Sequence, residues 1–231
     1  MLSWCQERKV HYISDEIYGG ASAWGAGTGH SDGQTMAASS SAPVVARDVV
    51  GWEEGNPAWE HLHVVYALSK DFGLSGLRVG VLYTQSDALT PLQKLNDLCQ
   101  TSSHTQAMMT EVLNDTEWLA MFEGTARSRL QQRHAWLASV LDEVGIEHMN
   151  SEAGMFTWMD LRPWLPHDVA EGECPERVLS KWLMHEVGVA MTPGLSMAMS
   201  EPGFYRMVYS AASDEDFAVA MARIEAHFGT V

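Results

Sequence analysis

Alternating apolar and polar positions mark five short strands along the chain. Lys9 to Ser14 (KVHYIS), His61 to Leu68 (HLHVVYAL) and Arg78 to Thr84 (RVGVLYT) combine β-branched and aromatic residues with polar or turn-forming neighbours. Such segments are typical of strands. The same pattern predicts strands at Met155 to Leu161 and Arg206 to Ala211. We therefore expect β-structure in both halves of the chain.

Apolar residues at helical spacing predict five helices in the remainder of the sequence. They cover residues 87–98, 105–113, 115–144, 176–186 and 214–228. Ser213 is a suitable N-cap for the last helix, and Gly145 is a natural stop for the third. Residues 19–56 are rich in Gly, Ser and Ala, which predicts a long surface loop. We expect a domain boundary near Asn114, between residues 1–114 and 115–231.

The charge balance narrows the classes of partner. The 231 residues include 14 Lys and Arg against 30 Asp and Glu, a net charge of −16 with neutral histidines. A surface this acidic repels phosphate, so we expect neither nucleic acid nor an anionic membrane as a partner. Cys5, Cys99 and Cys174 lie far apart and form no disulfide pattern, which favours a reducing, cytoplasmic location. No apolar run reaches the roughly 18 residues of a membrane span.

Three segments carry the residues that suggest chemistry. Asp15 follows the first predicted strand, Lys70 follows the second, and Arg78 opens the third. Arg206 ends the segment EPGFYR at the start of the last strand. Ligands in open α/β sheets collect beyond the carboxyl ends of the strands. These side chains are therefore expected to converge on one anionic ligand that contains nitrogen.

The chemistry of these groups suggests a specific ligand. A carboxylate keeps a pyridine nitrogen protonated, and a lysine amine forms a Schiff base with an aldehyde. A guanidinium binds phosphate, and a second one grips a substrate carboxylate through two parallel hydrogen bonds. Together these requirements describe pyridoxal 5'-phosphate acting on an amino acid.

Four longer segments carry a family resemblance. SDEIYGG, YALSKDFGLSGLRVGVLYT, SEAGMFTWMDLR and VAMTPGLSMAMSEPGFYRMVYSAA occur in this order. They closely resemble the fold-type I aminotransferases, and the nearest likeness is to the 1-aminocyclopropane-1-carboxylate synthase branch. The resemblance implies the α/β fold of pyridoxal-phosphate-dependent transferases. Residues 1–114 would be the remnant of a large domain with a mixed, mostly parallel sheet, and residues 115–231 an α+β C-terminal small domain.

The resemblance also implies a role for five residues. Lys70 matches the lysine that forms the Schiff base and moves the Cα proton. Asp15 matches the carboxylate on the pyridinium nitrogen, and Tyr18 the tyrosine whose hydroxyl bonds the phenolic oxygen. Arg78 matches the arginine on the cofactor phosphate, and Arg206 the arginine on the substrate α-carboxylate.

The sequence departs from the family in two ways. Ala67 stands three residues before Lys70, where the family has a phosphate-binding serine. Family members also carry roughly half of their length upstream of the Asp15 strand. We therefore expect a fragment, a truncated gene model or a degenerate relative, with only three strands of the large-domain sheet.

The resemblance leaves the function open between alternatives. A synthase would close a cyclopropane ring from S-adenosylmethionine with loss of methylthioadenosine, which is lyase chemistry. An aminotransferase would release a keto acid. Family members are homodimers, so the complete enzyme is expected to be one. The non-enzymatic alternative is an inactive truncated relative that serves as a dimerising scaffold partner.

Two histidines raise the question of a metal site. His61 and His63 alternate on a predicted strand, so they share a face. No third ligand stands at a useful spacing, which favours core or surface histidines over a metal site.

Overall fold

The computed structural model describes residues 1–19, 57–87, 89–151 and 153–229. The predicted loop of residues 19–56 lies outside these ranges, apart from Gly19. The chain forms two compact units, Met1–Thr125 and Ala126–Val231. The division falls inside a long helix, Thr116–Glu143, and so later than the boundary predicted near Asn114.

A mixed three-stranded sheet organises the first unit. Its strand order is β1-β2-β3, with β1 and β2 parallel and β2 and β3 antiparallel. The three predicted strands are confirmed, whereas the six-residue helix α1 is an element that the sequence pattern does not predict. The elements of this unit are α1 (Leu2–Glu7), β1 (Tyr12–Asp15), β2 (Leu62–Ala67), α2 (Leu68–Asp71), β3 (Gly80–Thr84), α3 (Leu89–Cys99) and α4 (Ser103–Asn114).

One face of this sheet carries a small apolar cluster. Trp59, Leu62 and Val64 are buried, and the ring of Tyr83 meets that of Trp59 edge-on at 4.8 Å. Side chains alternate between the two faces of a sheet. Ile13 and Leu82 pair with β2 residues of the opposite face, and both are exposed. The described residues therefore cover one face of the sheet more fully than the other.

The second unit packs helices against an antiparallel sheet of order β4-β6-β5. Arg206 on the central strand β6 pairs with Trp158 of β4 on one side and with Thr192 of β5 on the other. The helix α6 continues as a π-helical turn over Leu183–Val187. The elements are α5 (Thr116–Glu143), which the two units share, β4 (Phe156–Asp160), α6 (Pro175–Trp182), β5 (Thr192–Pro193), β6 (Phe204–Val208) and α7 (Asp214–Phe228).

Most of the buried apolar side chains among the described residues lie in the second unit. These side chains form one hydrophobic core, in which the C-terminal half of α5 packs against β6 and α7. Its members include Leu137 and Leu141 of α5, Tyr205 of β6, and Phe217 and Ile224 of α7. Tyr205 and Met207 of β6 point into this core. Because side chains alternate along a strand, Arg206 lies on the opposite face of the sheet.

The predicted helix ends of the second unit are confirmed. The Ser213 hydroxyl oxygen accepts the Asp216 backbone N–H at 3.1 Å, which satisfies one free amide at the start of α7. Gly145 follows α5 with a φ of +72°, the left-handed geometry that favours glycine after a helix. Within the described ranges, no helix combines the length and the apolar character that a membrane span requires.

Candidate functional site

Three strand ends bring four of the predicted residues to one edge of the first sheet. β1 ends at Asp15, which pairs with Val65, and β2 ends at Ala67, which pairs with the first residue of β3, Gly80. Lys70 follows β2 within α2, and Arg78 immediately precedes β3. Tyr18 follows β1 in a turn. The topology therefore gathers an amine, a carboxylate, a phenol and a guanidinium beyond the carboxyl ends of the two parallel strands.

Lys70 and Tyr18 are in contact within this group. The Lys70 ammonium nitrogen lies 5.7 Å from the centroid of the Tyr18 ring. This distance is within the range of a cation–π interaction. Lys70 is exposed, and Tyr18 is half-buried. The amine is therefore accessible to a ligand that approaches over the tyrosine ring.

The turn after β1 fixes Asp15 at the edge of the sheet. Its Oδ1 accepts the Ile17 backbone N–H at 3.2 Å, a local bond that bends the chain after the strand. The Glu16 N–H donates to the Val65 carbonyl at 2.8 Å, which holds the turn against β2. Asp15 is exposed, and the structure assigns it no hydrogen bond or ion pair with Lys70 among the described residues. One carboxylate oxygen is thus held by the turn, and the other has no hydrogen-bond partner in the part of the chain that the structure describes.

Arg78 occupies an unusual backbone conformation. Its φ is +53°, the left-handed region that few residues other than glycine adopt. The guanidinium Nη1 donates to the Ser75 carbonyl at 2.9 Å and is otherwise exposed. Left-handed residues of this kind concentrate at binding sites, where the surrounding structure holds them. Ala67, where the family has a serine, ends β2 at the same edge and provides no hydroxyl donor.

Arg206 lies in the second unit, on β6, the central strand of its sheet. Its guanidinium carbon lies 5.1 Å from the centroid of the Phe156 ring, and Nη2 reaches the Thr192 hydroxyl at 3.5 Å. The Nε atom is buried and has no hydrogen-bond partner among the described residues. A buried donor without an acceptor is unfavourable. A carboxylate supplies the acceptors that such a guanidinium needs.

Phe156 and Thr192 are neighbours of Arg206 that were not predicted from the sequence. Phe156 could have been identified from the alternation along β4. It shares a face of the sheet with Trp158, and Trp158 pairs with Arg206. Thr192 could not be found in this way, since β5 has only two residues and no alternation of its own.

His63 belongs to a hydrogen-bonded chain of side chains. His63 lies 2.8 Å from the His11 ring and 2.7 Å from the Thr84 hydroxyl through its two ring nitrogens. Burial, followed by the charges of His11 and His61, lowers the pKa of His63 below its usual value. In the described part of the chain, no three His, Cys, Asp or Glu side chains are arranged to hold a metal ion.

The comparisons with known proteins identify the family. The profile of "Aminotransferase class I and II" matches residues 1–224 of the chain. The chain belongs to the class I and II aminotransferase family. Enzymes of this family depend on pyridoxal 5'-phosphate, the cofactor that the sequence analysis predicted.

Curated relatives within the family are 1-aminocyclopropane-1-carboxylate synthases. The chain is 36% identical over 227 residues to synthase 2 of Oryza sativa subsp. japonica, covering 97% of this chain and 43% of the relative. It is 34% identical over 225 residues to synthase 1 of Prunus mume, covering 97% and 42%. The chain therefore spans less than half the length of these relatives.

Solved aminotransferase structures share the fold. Aspartate aminotransferase from Thermotoga maritima matches with a TM-score of 0.72 and 19% identity, over 99% of this chain and 50% of that one. The aromatic aminotransferase from Pyrococcus horikoshii gives a TM-score of 0.70 and 20% identity, over 97% and 52%. These likenesses confirm the predicted α/β fold of pyridoxal-phosphate-dependent transferases.

Proposed function

We propose that this aminotransferase-family chain is all or part of an enzyme that uses pyridoxal phosphate to act on an α-amino acid through the amine of Lys70. The observation that carries the proposal is the position of Lys70, 5.7 Å from the Tyr18 ring at the sheet edge that also presents Asp15 and Arg78. This set contains a partner for each polar group of the cofactor. The residues therefore fit the group that the family uses.

Each side chain has a defined role in this proposal. Lys70 would hold the aldehyde carbon through its amine, with loss of water, and would move the proton at the substrate Cα. Asp15 holds a proton on the ring nitrogen by charge pairing, and Tyr18 donates to the phenolic oxygen. Arg78 binds the phosphate. When bound, the cofactor supplies an electron-withdrawing ring that stabilises negative charge at the substrate Cα.

Arg206 selects for an α-carboxylate in this proposal. Its guanidinium presents donors in a planar fork that suits a carboxylate, which a lysine ammonium does not. The buried Nε supports this role, because no described residue accepts its hydrogen bond and a bound carboxylate would. Substrates that lack an α-carboxylate should bind poorly.

Synthase activity is the favoured form of the reaction. The curated relatives at 36% and 34% identity are named as 1-aminocyclopropane-1-carboxylate synthases, which points to S-adenosylmethionine as substrate and to lyase chemistry. Aminotransferase activity is the second candidate, and the family profile supports it. We propose a homodimer, as in the family. The three free cysteines fit a cytoplasmic location.

A visible absorbance titration tests the proposal. Pyridoxal phosphate is added to the full chain, followed by S-adenosylmethionine. We expect a band of the lysine-bound cofactor that the Lys70→Ala variant lacks and that changes when the amino acid is added. Retention of the band in Lys181→Ala is the control. If the wild-type chain forms no band, the enzymatic proposal is refuted, and the scaffold alternative from the sequence analysis would take its place.

A further inference from the structure

Glu176 is a fully buried carboxylate with both oxygens engaged. Only 1% of the residue is exposed, although it stands near the start of α6. One carboxylate oxygen accepts the Leu195 backbone N–H at 2.9 Å, and the other accepts the Gly203 N–H at 2.6 Å. Burying a carboxylate is costly unless hydrogen bonds compensate it. The two amides are therefore the reason that Glu176 can lie inside the unit.

The two amides lie near the ends of the segment that connects β5 to β6, residues 194–203. Glu176 therefore fastens this segment at both ends. The backbone is also tightly enclosed at Gly203, where φ is +104° and an added Cβ would lie 2.6 Å from the Arg162 Cγ. The segment joins directly to β5 and β6, so its position bears on both strands.

A further contact ties Glu176 to β6. The Tyr205 hydroxyl donates to the backbone carbonyl of Glu176 at 2.8 Å and lies 3.0 Å from the Ser180 hydroxyl. Burial raises the pKa of Tyr205 to about 12, so the hydroxyl keeps its proton at neutral pH and remains a donor. Glu176 therefore contacts Gly203 and Tyr205, two alternate residues that lead directly to Arg206. Together these bonds fix the register and rotation of β6 against α6.

Arg206 depends on the strands that this arrangement fixes. Its guanidinium sits between Phe156 of β4 and Thr192 of β5, and Nε has no hydrogen-bond partner within the described ranges. We propose that Glu176 is a positioning residue for Arg206, holding β5 and β6 so that the guanidinium presents its free donors to a carboxylate. This inference rests on the proposed function in one respect only, which is that the bound carboxylate belongs to an amino acid.

The Glu176→Gln variant tests the inference. The change keeps the shape but replaces one acceptor oxygen with an NH₂ group, so either Leu195 or Gly203 loses its acceptor. The first readout is the nitrogen–proton NMR signal of Arg206 Nε in the full chain. We expect this signal to move in Glu176→Gln, because the guanidinium is displaced. Glu201→Gln is the matched control, since Glu201 lies in the same segment but is half exposed and bonds Arg162 on the surface.

Ligand binding provides the second readout. Titration with S-adenosylmethionine in the presence of pyridoxal phosphate should show about tenfold weaker binding in Glu176→Gln. This is the effect expected when the displaced Arg206 guanidinium loses one hydrogen bond to the charged carboxylate. Binding should remain close to wild type in Glu201→Gln. If Arg206→Lys binds as tightly as wild type, the carboxylate role of Arg206 in the proposed function fails. If Arg206→Lys weakens binding and Glu176→Gln does not, the positioning role fails.

A second variant covers the case in which Glu176→Gln does not fold. Tyr205→Phe removes only the hydroxyl that bonds the Glu176 carbonyl and keeps the buried ring. We expect a smaller displacement of the Arg206 signal and about threefold weaker binding. An Arg206 signal at the wild-type position in every folded variant would overturn the inference, whether or not the chain binds an amino acid.

Discussion

Arg133 should stabilise the second unit, and the size of the effect follows from its contacts. Its Nη1 donates to the carbonyls of Tyr209 at 3.1 Å and Ala212 at 2.7 Å, and Nη2 pairs with Asp214 at 2.5 Å. The guanidinium carbon also lies 5.1 Å from the centroid of the Phe217 ring. One side chain of α5 thus holds the chain between β6 and α7. Arg133→Met keeps much of the apolar stem and removes all of these donors.

The contributions of these contacts are unequal. The Tyr209 carbonyl is partly buried, so the loss of its charged donor should cost about 1.5 to 3 kcal/mol. The Ala212 carbonyl is exposed and can bond water instead, and the side chain of Asp214 is 91% exposed, so both contribute little. We expect Arg133→Met to lower the free energy of unfolding by about 2 kcal/mol. For a domain of about 100 residues, such a loss lowers the melting temperature by roughly 10 °C.

Thermal unfolding of the full chain, followed by circular dichroism, measures this effect. Arg129→Met is the matched control, because Arg129 is exposed on the same helix one turn earlier. The control should remain within about 0.5 kcal/mol of wild type. Asp214→Asn should also have a much smaller effect than Arg133→Met. Equal melting temperatures for Arg133→Met and Arg129→Met would refute the reasoning.

Three further changes have defined outcomes. The pKa of His63 is lowered in the folded chain, so His63 takes up a proton at a higher pH in the unfolded chain than in the folded one. The free energy of unfolding should therefore fall as the pH drops below about 6.5. His63→Gln should flatten this dependence in pH-resolved urea denaturation, and an unchanged slope would contradict the assignment. Ser213→Ala should cost about 1 kcal/mol in urea denaturation, because it removes the N-cap of α7, and no loss would exclude a capping role. Gly203→Ala should destabilise more than Gly172→Ala, since both have positive φ but only Gly203 lacks room for a Cβ; equal losses would show that space is not the cause.

The strands and longer helices could be predicted because their signal is local. Residues 214–228 form the predicted helix, and the Ser213 cap is confirmed. Helix α1 was missed because six residues contain too few turns to show a period. Strand β5 was missed because two residues cannot alternate, and it exists only through its pairing with β6.

The candidate site shows the same limit. The sequence pattern around Asp15 and Lys70 predicts that each stands at the end of a strand, and the sheet topology places the two strand ends at one edge. Glu176 gave no signal, because a glutamate near the start of a helix is ordinarily a solvated residue that favours the helix dipole. Its burial results from amides at Leu195 and Gly203, which are distant in sequence. Contacts of this kind depend on the assembled fold and not on any local pattern.

The central claim is that the Lys70 amine is the group that binds pyridoxal phosphate covalently. Reduction of the mixture with borohydride makes such a bond permanent, and peptide mass mapping then locates it among the four lysines of the chain, Lys9, Lys70, Lys94 and Lys181. We predict a pyridoxyl group on the peptide that contains Lys70, its absence from Lys70→Ala, and its retention in Lys181→Ala. Equal labelling of all four lysines, or undiminished labelling of Lys70→Ala, would contradict the account.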